Sequence, residues 1–150
     1  MSNTIAYKLY TLSDPLTTKE IERVTAFLFH HLDQYGDKAE DIQKAIHYAM
    51  KVDDYGQGGY VVTATEGNEM KGAVVVNKTG MDGYIPENIL VYIAVHQDTR
   101  GKGVGKSLME MALKCADGDV ALHVEPDNPA KKLYEKLGFT NKYLEMRYTK

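Results

Sequence analysis

The stretch VHQDTRGKGVGKSLMEMALK, Val95–Lys114, decides the fold. Glycines alternate at 101, 103 and 105, and basic residues stand at 100, 102 and 106. A helical pattern spans 104–116, with Leu108, Met111, Ala112 and Cys115 on one face. Just upstream, NILVYIAV (88–95) is apolar on both faces, as a strand inside a sheet is. A strand, a glycine turn and a helix in this order build an anion site. The orphan N–H groups of the first helical turn point out of the helix end, and the helix dipole favours negative charge there. Glycine lets the backbone come close to a ligand and take positive φ. Arg100, Lys102 and Lys106 add charged donors, so the binding segment is Arg100, Gly101, Lys102, Gly103, Val104, Gly105, Lys106 and Ser107.

Two phosphate loops fail against this segment. The P-loop G-x-x-x-x-G-K-[ST] ends correctly in Gly105-Lys106-Ser107, but its first glycine falls at position 100, which is arginine. The dinucleotide pattern G-x-G-x-x-G meets Lys106 when started from Gly101 and Leu108 when started from Gly103. The pattern that fits is R-x-x-G-x-G, given by Arg100, Gly103 and Gly105.

Outward from this centre, the chain alternates periods. IAYKLYTL (5–12) reads as a strand, and 16–32 as a helix with Ile21, Val24, Leu28 and Leu32 on one face. Gly36 separates it from a second helix, 38–51, whose face is Ile42, Ala45, Ile46 and Ala49. Segments 59–65 and 71–78 form a hairpin around EGNE. Beyond the glycine turn, 119–125 reads as a strand with Val120, Leu122 and Val124 on one face and Ala121, His123 and Glu125 on the other. A short helix follows over 128–139, with Asn128 as N-cap, Pro129 at its first position and Gly138 as its left-handed C′ residue. KYLEMRYT (142–149) reads as a closing strand. The order β-α-α-β-β-β-α-β-α-β is an α/β or α+β sheet carrying helices.

Composition sets limits. One domain over 1–150 suits 150 residues, and a net charge of −3 argues against nucleic acid as partner. Cys115 is the single cysteine, which excludes an internal disulfide and a cysteine-rich zinc site. Its place on the helix face reads as core. His30, His31 and His47 show no metal-ligand spacing, so no metal is expected. The N-terminal segment carries Asp14 and no signal-like apolar run, and no stretch is long enough to span a membrane. The expectation is a soluble, cytoplasmic protein.

A second motif joins the first. VEPDNPAKKLYEKLGF (124–139) is similar to N-x-x-A-x-x-L-Y-x-x-x-G-F through Asn128, Leu133, Tyr134, Gly138 and Phe139, with the small residue at Ala130 one place early. With R-x-x-G-x-G ahead of it, the chain resembles the GNAT acyltransferase superfamily over essentially its whole length. The resemblance implies a mixed central sheet with splayed central strands and helices on both faces. It implies that the anion is the pyrophosphate of acetyl-CoA, with Asn128 a further contact. It places the thioester beside the strand end, where the N–H groups of Ala94, Val95 and His96 meet pantetheine and the acetyl carbonyl.

Acetyl transfer to an amine needs a neutral nucleophile, donors for the oxyanion and a proton for the leaving thiolate. By resemblance Tyr134 supplies that proton, and a phenol of ordinary pKa about 10 suits a thiol. The same residue also reads as plain core on the face Ala130, Leu133, Tyr134 and Leu137. Where related N-terminal acetyltransferases carry a glutamate, this chain has His123, a candidate base, with Glu125 on the same face to orient or replace it. A strand-edge histidine is the alternative, and His96 reads as a turn residue. The acceptor end implied by the family takes in Asp33, Tyr35, Asp37, Glu40, Asp41, Tyr48, Asp53, Asp54 and Tyr55, with the loop 79–88 as a lid. Solvated surface is the other reading of those charges. A small-molecule amine leads as acceptor; a peptide amine, an N-terminus or a lysine comes second. A non-catalytic acyl-CoA-binding module and a nucleotide switch are the rival classes. The final strand offers an edge for a homodimer.

Overall fold

Local chemistry starts the first helix. The Thr17 hydroxyl accepts the Glu20 N–H at 3.2 Å, and the Glu20 carboxylate accepts the Thr17 N–H at 2.8 Å, a reciprocal cap. The computed structural model describes residues 4–150, so the first three residues of the N-terminal segment lie outside it. Strand β1 is Ile5–Tyr10 and helix α1 is Thr18–Leu32, which buries Ile21, Val24, Phe27 and Leu28. Helix α2, Ala39–Met50, buries Ile42, Ile46, Ala49 and Met50. Strands β2, Gly59–Glu66, and β3, Glu69–Lys78, make the hairpin, and β4 is Asn88–Val95. Helix α3, Val104–Cys115, crosses to β5, Val120–Leu122, and α4 is Lys131–Lys136.

The sheet order is β1-β2-β3-β4-β5, antiparallel through β4 and parallel between β4 and β5. Helices lie on both faces. On one, α1 and α2 close a core that includes Ile42, Ile46, Val61, Val75 and Tyr92. On the other, α3 and α4 cover Val62, Val74 and Leu90 with Leu108, Met109 and Tyr134. Gly72 permits the α3 approach, because a Cβ there would meet Leu108 Cδ1 at 2.6 Å. A buried leucine of this kind stabilises by about 1.5–3 kcal/mol. Among the described residues no helix is long and apolar enough to cross a membrane.

The functional geometry comes from one irregularity. Val75 pairs with Tyr92 but Val76 pairs with Leu90, so Val91 is an extra residue on β4. Pairing with β5 covers only Asn88 to Leu90 against Val120 to Leu122. From Val91 to Val95 the β5 side of β4 is open, the splay expected of the central strands.

Four expectations fail. The strand read over 119–125 stops at Leu122, and residues 142–149 form no strand. Among the described residues nothing pairs with the outer edge of β5, so the alternating pattern of the last residues has no ladder to join. Helix α4 starts at Lys131 rather than at Pro129. Gly138 does take the left-handed C′ position, at φ 104°. The Phe139 N–H then donates to the Tyr134 carbonyl at 3.0 Å. Cys115, read as core, is exposed at the end of α3.

Candidate coenzyme and catalytic site

The glycine turn is prepared by a 3-10 turn, Gln97–Thr99, that the sequence did not reveal. His96 caps it, its Nδ1 accepting the Asp98 N–H at 3.2 Å, in keeping with its reading as a turn residue. The Arg100 N–H donates to the Gln97 carbonyl at 3.2 Å and the Lys102 N–H to Thr99 at 3.0 Å. Gly101 and Gly103 take φ of 84° and 79°, where a side chain would be strained. The Ser107 N–H is spent on the Gly103 carbonyl at 3.0 Å. The N–H groups of Gly101, Gly103, Val104, Gly105 and Lys106 have no protein acceptor among the described residues. The donor set is thus narrower than Arg100 through Ser107: the amides of Arg100, Lys102 and Ser107 serve the turn itself. The side chains of Arg100, Lys102 and Lys106 are exposed around it.

Gly105 marks a junction. A Cβ built there lies 3.4 Å from Val95 Cγ2 and 3.7 Å from Leu133 Cδ2. The helix start, the strand end and α4 therefore meet at one point.

Along β4 the ladder decides which amides face the gap. The His96 N–H donates to the Lys71 carbonyl at 2.8 Å, and Ala94 pairs with Ala73. Residues of an antiparallel strand alternate between facing their partner and facing away. His96 and Ala94 therefore spend their amides on β3, while Val95 and Ile93 direct theirs toward the open side. Of Ala94, Val95 and His96, the geometry gives Val95 alone to the gap. It adds Ile93, which motif reading missed because only the bonded register reveals it.

Tyr134 is buried on α4, with its ring 6.1 Å from that of Phe139 in an edge-on contact. Its hydroxyl has no protein partner among the described residues, yet is not among the fully enclosed unpaired atoms, so it is partly open to solvent. Burial pushes its phenol up to about 12. Asn128 accepts the Ala130 N–H on its side chain at 2.9 Å and the Lys131 N–H on its carbonyl at 3.1 Å. It shapes the turn into α4, whose N-cap is Ala130. His123 and Glu125 lie beyond the end of β5 and are exposed, so strand alternation no longer sets them on a shared face.

The acidic and aromatic residues assigned to the acceptor divide between two ends of the sheet. Tyr35 donates to the Asp127 carbonyl at 3.3 Å, tying the α1–α2 connection to the β5–α4 connection across the open side. Tyr92 donates to the Asp37 carboxylate at 2.5 Å; burial first, then that carboxylate, raises its phenol pKa. Tyr48 instead donates to the Lys78 carbonyl at 2.6 Å, and Tyr55 packs on Tyr48 with ring centroids 5.9 Å apart. Lys78 ends β3 beside the start of β4, so Tyr48 and Tyr55 stand at the opposite end from Val95. The loop 79–88 leaves from the same place, bonded through Thr79 N–H to the Glu87 carbonyl at 2.9 Å. Seven residue steps of β4, roughly 24 Å, separate it from the glycine turn, so it is no lid on that site. A separate cleft of about 320 Å³, lined by Leu12, Tyr60, Lys78 and Cys115 among others, also lies at this far end.

Residues 57–141 match the family model of the acetyltransferase (GNAT) domain. No curated protein sequence matches the chain. Solved structures do. An aminoglycoside N-acetyltransferase, AAC(6')-Iy, in complex with CoA is 16% identical, covers 100% of this chain and 97% of its own, and gives a TM-score of 0.70. A possible acetyltransferase from Clostridium difficile 630 is 16% identical, with 97% of both chains covered and a TM-score of 0.65. A ribosomal-protein-alanine N-acetyltransferase from Brucella melitensis biovar Abortus 2308 is 17% identical over 97% of this chain and 99% of its own, with a TM-score of 0.64. At such identities the likeness establishes the fold.

Proposed function

The chain belongs to the GNAT acetyltransferase family, and on that premise we propose that it moves an acetyl group from acetyl-CoA to a primary amine of a small molecule. The amine attacks the thioester directly and a tetrahedral intermediate follows. One observation carries the reading: five amides of the glycine turn and the start of α3, unpaired among the described residues, adjoin a stretch of β4 whose outer side is open.

The donor set fits the coenzyme. The amides of Gly101, Gly103, Val104, Gly105 and Lys106 suit a diphosphate, and Arg100, Lys102 and Lys106 add charge. Val95 and Ile93 offer donors for the pantetheine chain and the acetyl oxygen. Asn128 holds the turn that presents α4. Tyr134 gives its proton to the departing thiolate. Its raised pKa keeps the phenol protonated throughout the neutral range, and its proton has no competing acceptor among the described residues. His123 takes the amine proton, directly or through water, and exposed Glu125 assists or replaces it. Asp37, fixed by Tyr92, and the neighbouring Tyr35 favour a cationic acceptor at this end. The structural neighbour described as an aminoglycoside acetyltransferase supports a small-molecule amine. The neighbour described as a ribosomal-protein-alanine acetyltransferase supports the second reading, a protein N-terminus or lysine. We take residues 1–150 as a single domain. A cytoplasmic setting suits the free, exposed Cys115.

The test is thiol release from acetyl-CoA over a panel of polyamines, amino acids, aminoglycosides and peptides. Release is expected with small polycationic amines, and Tyr134→Phe lowers kcat by roughly 10²-fold or more. Coenzyme binding without release on any acceptor, unchanged in Tyr134→Phe, would instead identify a binding module.

A further inference from the structure

Lys71 is the one charged side chain buried among the described residues, 4% exposed although it stands near the start of the apolar part of β3. A buried ammonium is costly unless oxygens surround it. Here the Glu69 carboxylate lies at 3.1 Å, Asp98 at 3.3 Å and Glu66 at 4.0 Å. Glu66 and Glu69 belong to the same hairpin as the lysine. Asp98 does not: it sits in the 3-10 turn, two residues before Arg100.

The bonds continue from there into the coenzyme site. The Lys71 carbonyl accepts the His96 N–H at 2.8 Å. His96 Nδ1 accepts the Asp98 N–H at 3.2 Å, and the His96 carbonyl accepts the Thr99 N–H at 3.0 Å and its hydroxyl at 2.8 Å. Thr99, itself buried, accepts the Lys102 N–H at 3.0 Å. An unbroken series of bonds thus joins the lysine to the middle of the glycine turn. The oxygen and nitrogen atoms of Glu69, His96 and Asp98 gather within 4.8 Å of one another, and the ammonium supplies the positive charge that such a group attracts.

We infer that Lys71 is a positioning residue for coenzyme binding. Through Asp98 it fixes the 97–99 turn so that the free amides of the glycine turn converge on one anion, and its single charge offsets part of the carboxylate charge that would repel the phosphates. The inference rests on the acetyltransferase reading above.

The experiment compares wild type with Lys71→Met, Asp98→Asn and the double variant, by calorimetric titration with CoA, steady-state kinetics and thermal unfolding. Lys71→Met weakens CoA about tenfold, and the double variant is no weaker than Lys71→Met alone, since both break one coupled pair. The KM for acetyl-CoA rises by a similar factor, while kcat changes by less than about twofold. The Tm of the double variant stays level, because the buried cation and the turn carboxylate it faces are removed together and the remaining Glu69 is solvent-exposed. Affinity and stability then move apart, which a merely structural role does not produce. Asp98→Asn, on an exposed side chain, tests the same link without touching the interior and weakens CoA by about threefold or more. Normal wild-type binding with every variant within twofold overturns the inference and leaves the acetyltransferase reading standing. Additive losses, or a double-variant Tm that falls together with affinity, overturn it also. Wild type that fails to bind CoA overturns both.

Discussion

Tyr134 couples the site to the stability of the molecule. Its phenol is buried and pushed up to about 12, against about 10 in an unfolded chain. The folded state therefore keeps a proton that the unfolded state releases between those values. Stability from this group is complete below about pH 10 and is lost as pH rises through about 12, by roughly 2–3 kcal/mol. Denaturant titrations at pH 9 and pH 11.5 are expected to show that loss in wild type, and a smaller one in Tyr134→Phe. Equal losses in the two proteins would mean that the phenol is solvated. Within the catalytic range its charge state does not change, so it sets no alkaline limit on activity below about pH 10. Much of this was legible at the residue scale. Arg100, Gly103, Gly105 and Tyr134 stand in motifs whose spacing is local, and the structure brings their elements together at Gly105. His123 and Glu125 were read through a strand alternation that ends at Leu122. Lys71 left only a faint trace, a single charge next to an apolar run.

At the scale of elements, the helix start and the strand end share one contact. Gly105 carries it, 3.4 Å from Val95 Cγ2 for a built Cβ. An alanine fits at ordinary van der Waals distance, and Gly105→Ala is expected to hold stability within about 1 kcal/mol. Gly105→Val forces γ carbons into the contact, lowers stability by about 1–3 kcal/mol and spreads the turn from the strand. CoA titration then shows a loss of roughly tenfold or more for valine. Retained affinity would show that the junction does not shape the site. The helices α1, α2 and α3 and strand β4 were readable because their periodicity is built into successive residues. The pairing of β5 was not, since a strand exists only where a neighbour accepts it. The placement of 79–88 was misread for a different reason: a loop entering β4 lies at the other end from the turn that leaves it, and strand direction alone implies that separation.

For the whole molecule, the charge of −3 argues only against nucleic acid, and the proposed reading puts an anion at one place and a cation at another. The last residues add a further demand. Tyr143, Leu144, Met146 and Tyr148 are 79–92% exposed, and among the described residues nothing pairs with the outer edge of β5. Exposed apolar residues with strand spacing favour a homodimer through that edge. Light scattering is expected to give twice the 16.8 kDa chain mass, falling to one chain when Leu144→Asp and Met146→Asp are combined. A wild-type mass of 16.8 kDa would confine the tail to one chain.

The brevity of the β4–β5 seam has its own consequence. Three residue pairs stitch the piece that bears Tyr134 to the rest of the sheet, and beyond them its position depends on the Tyr35–Asp127 hydrogen bond, side-chain packing and the α3 crossover. Such a joint behaves as a clasp with slack in it. If Tyr134 acts as the acid, a guest lodged in the slot draws the two leaves to a common spacing, and its arrival aligns the phenol with the leaving sulfur.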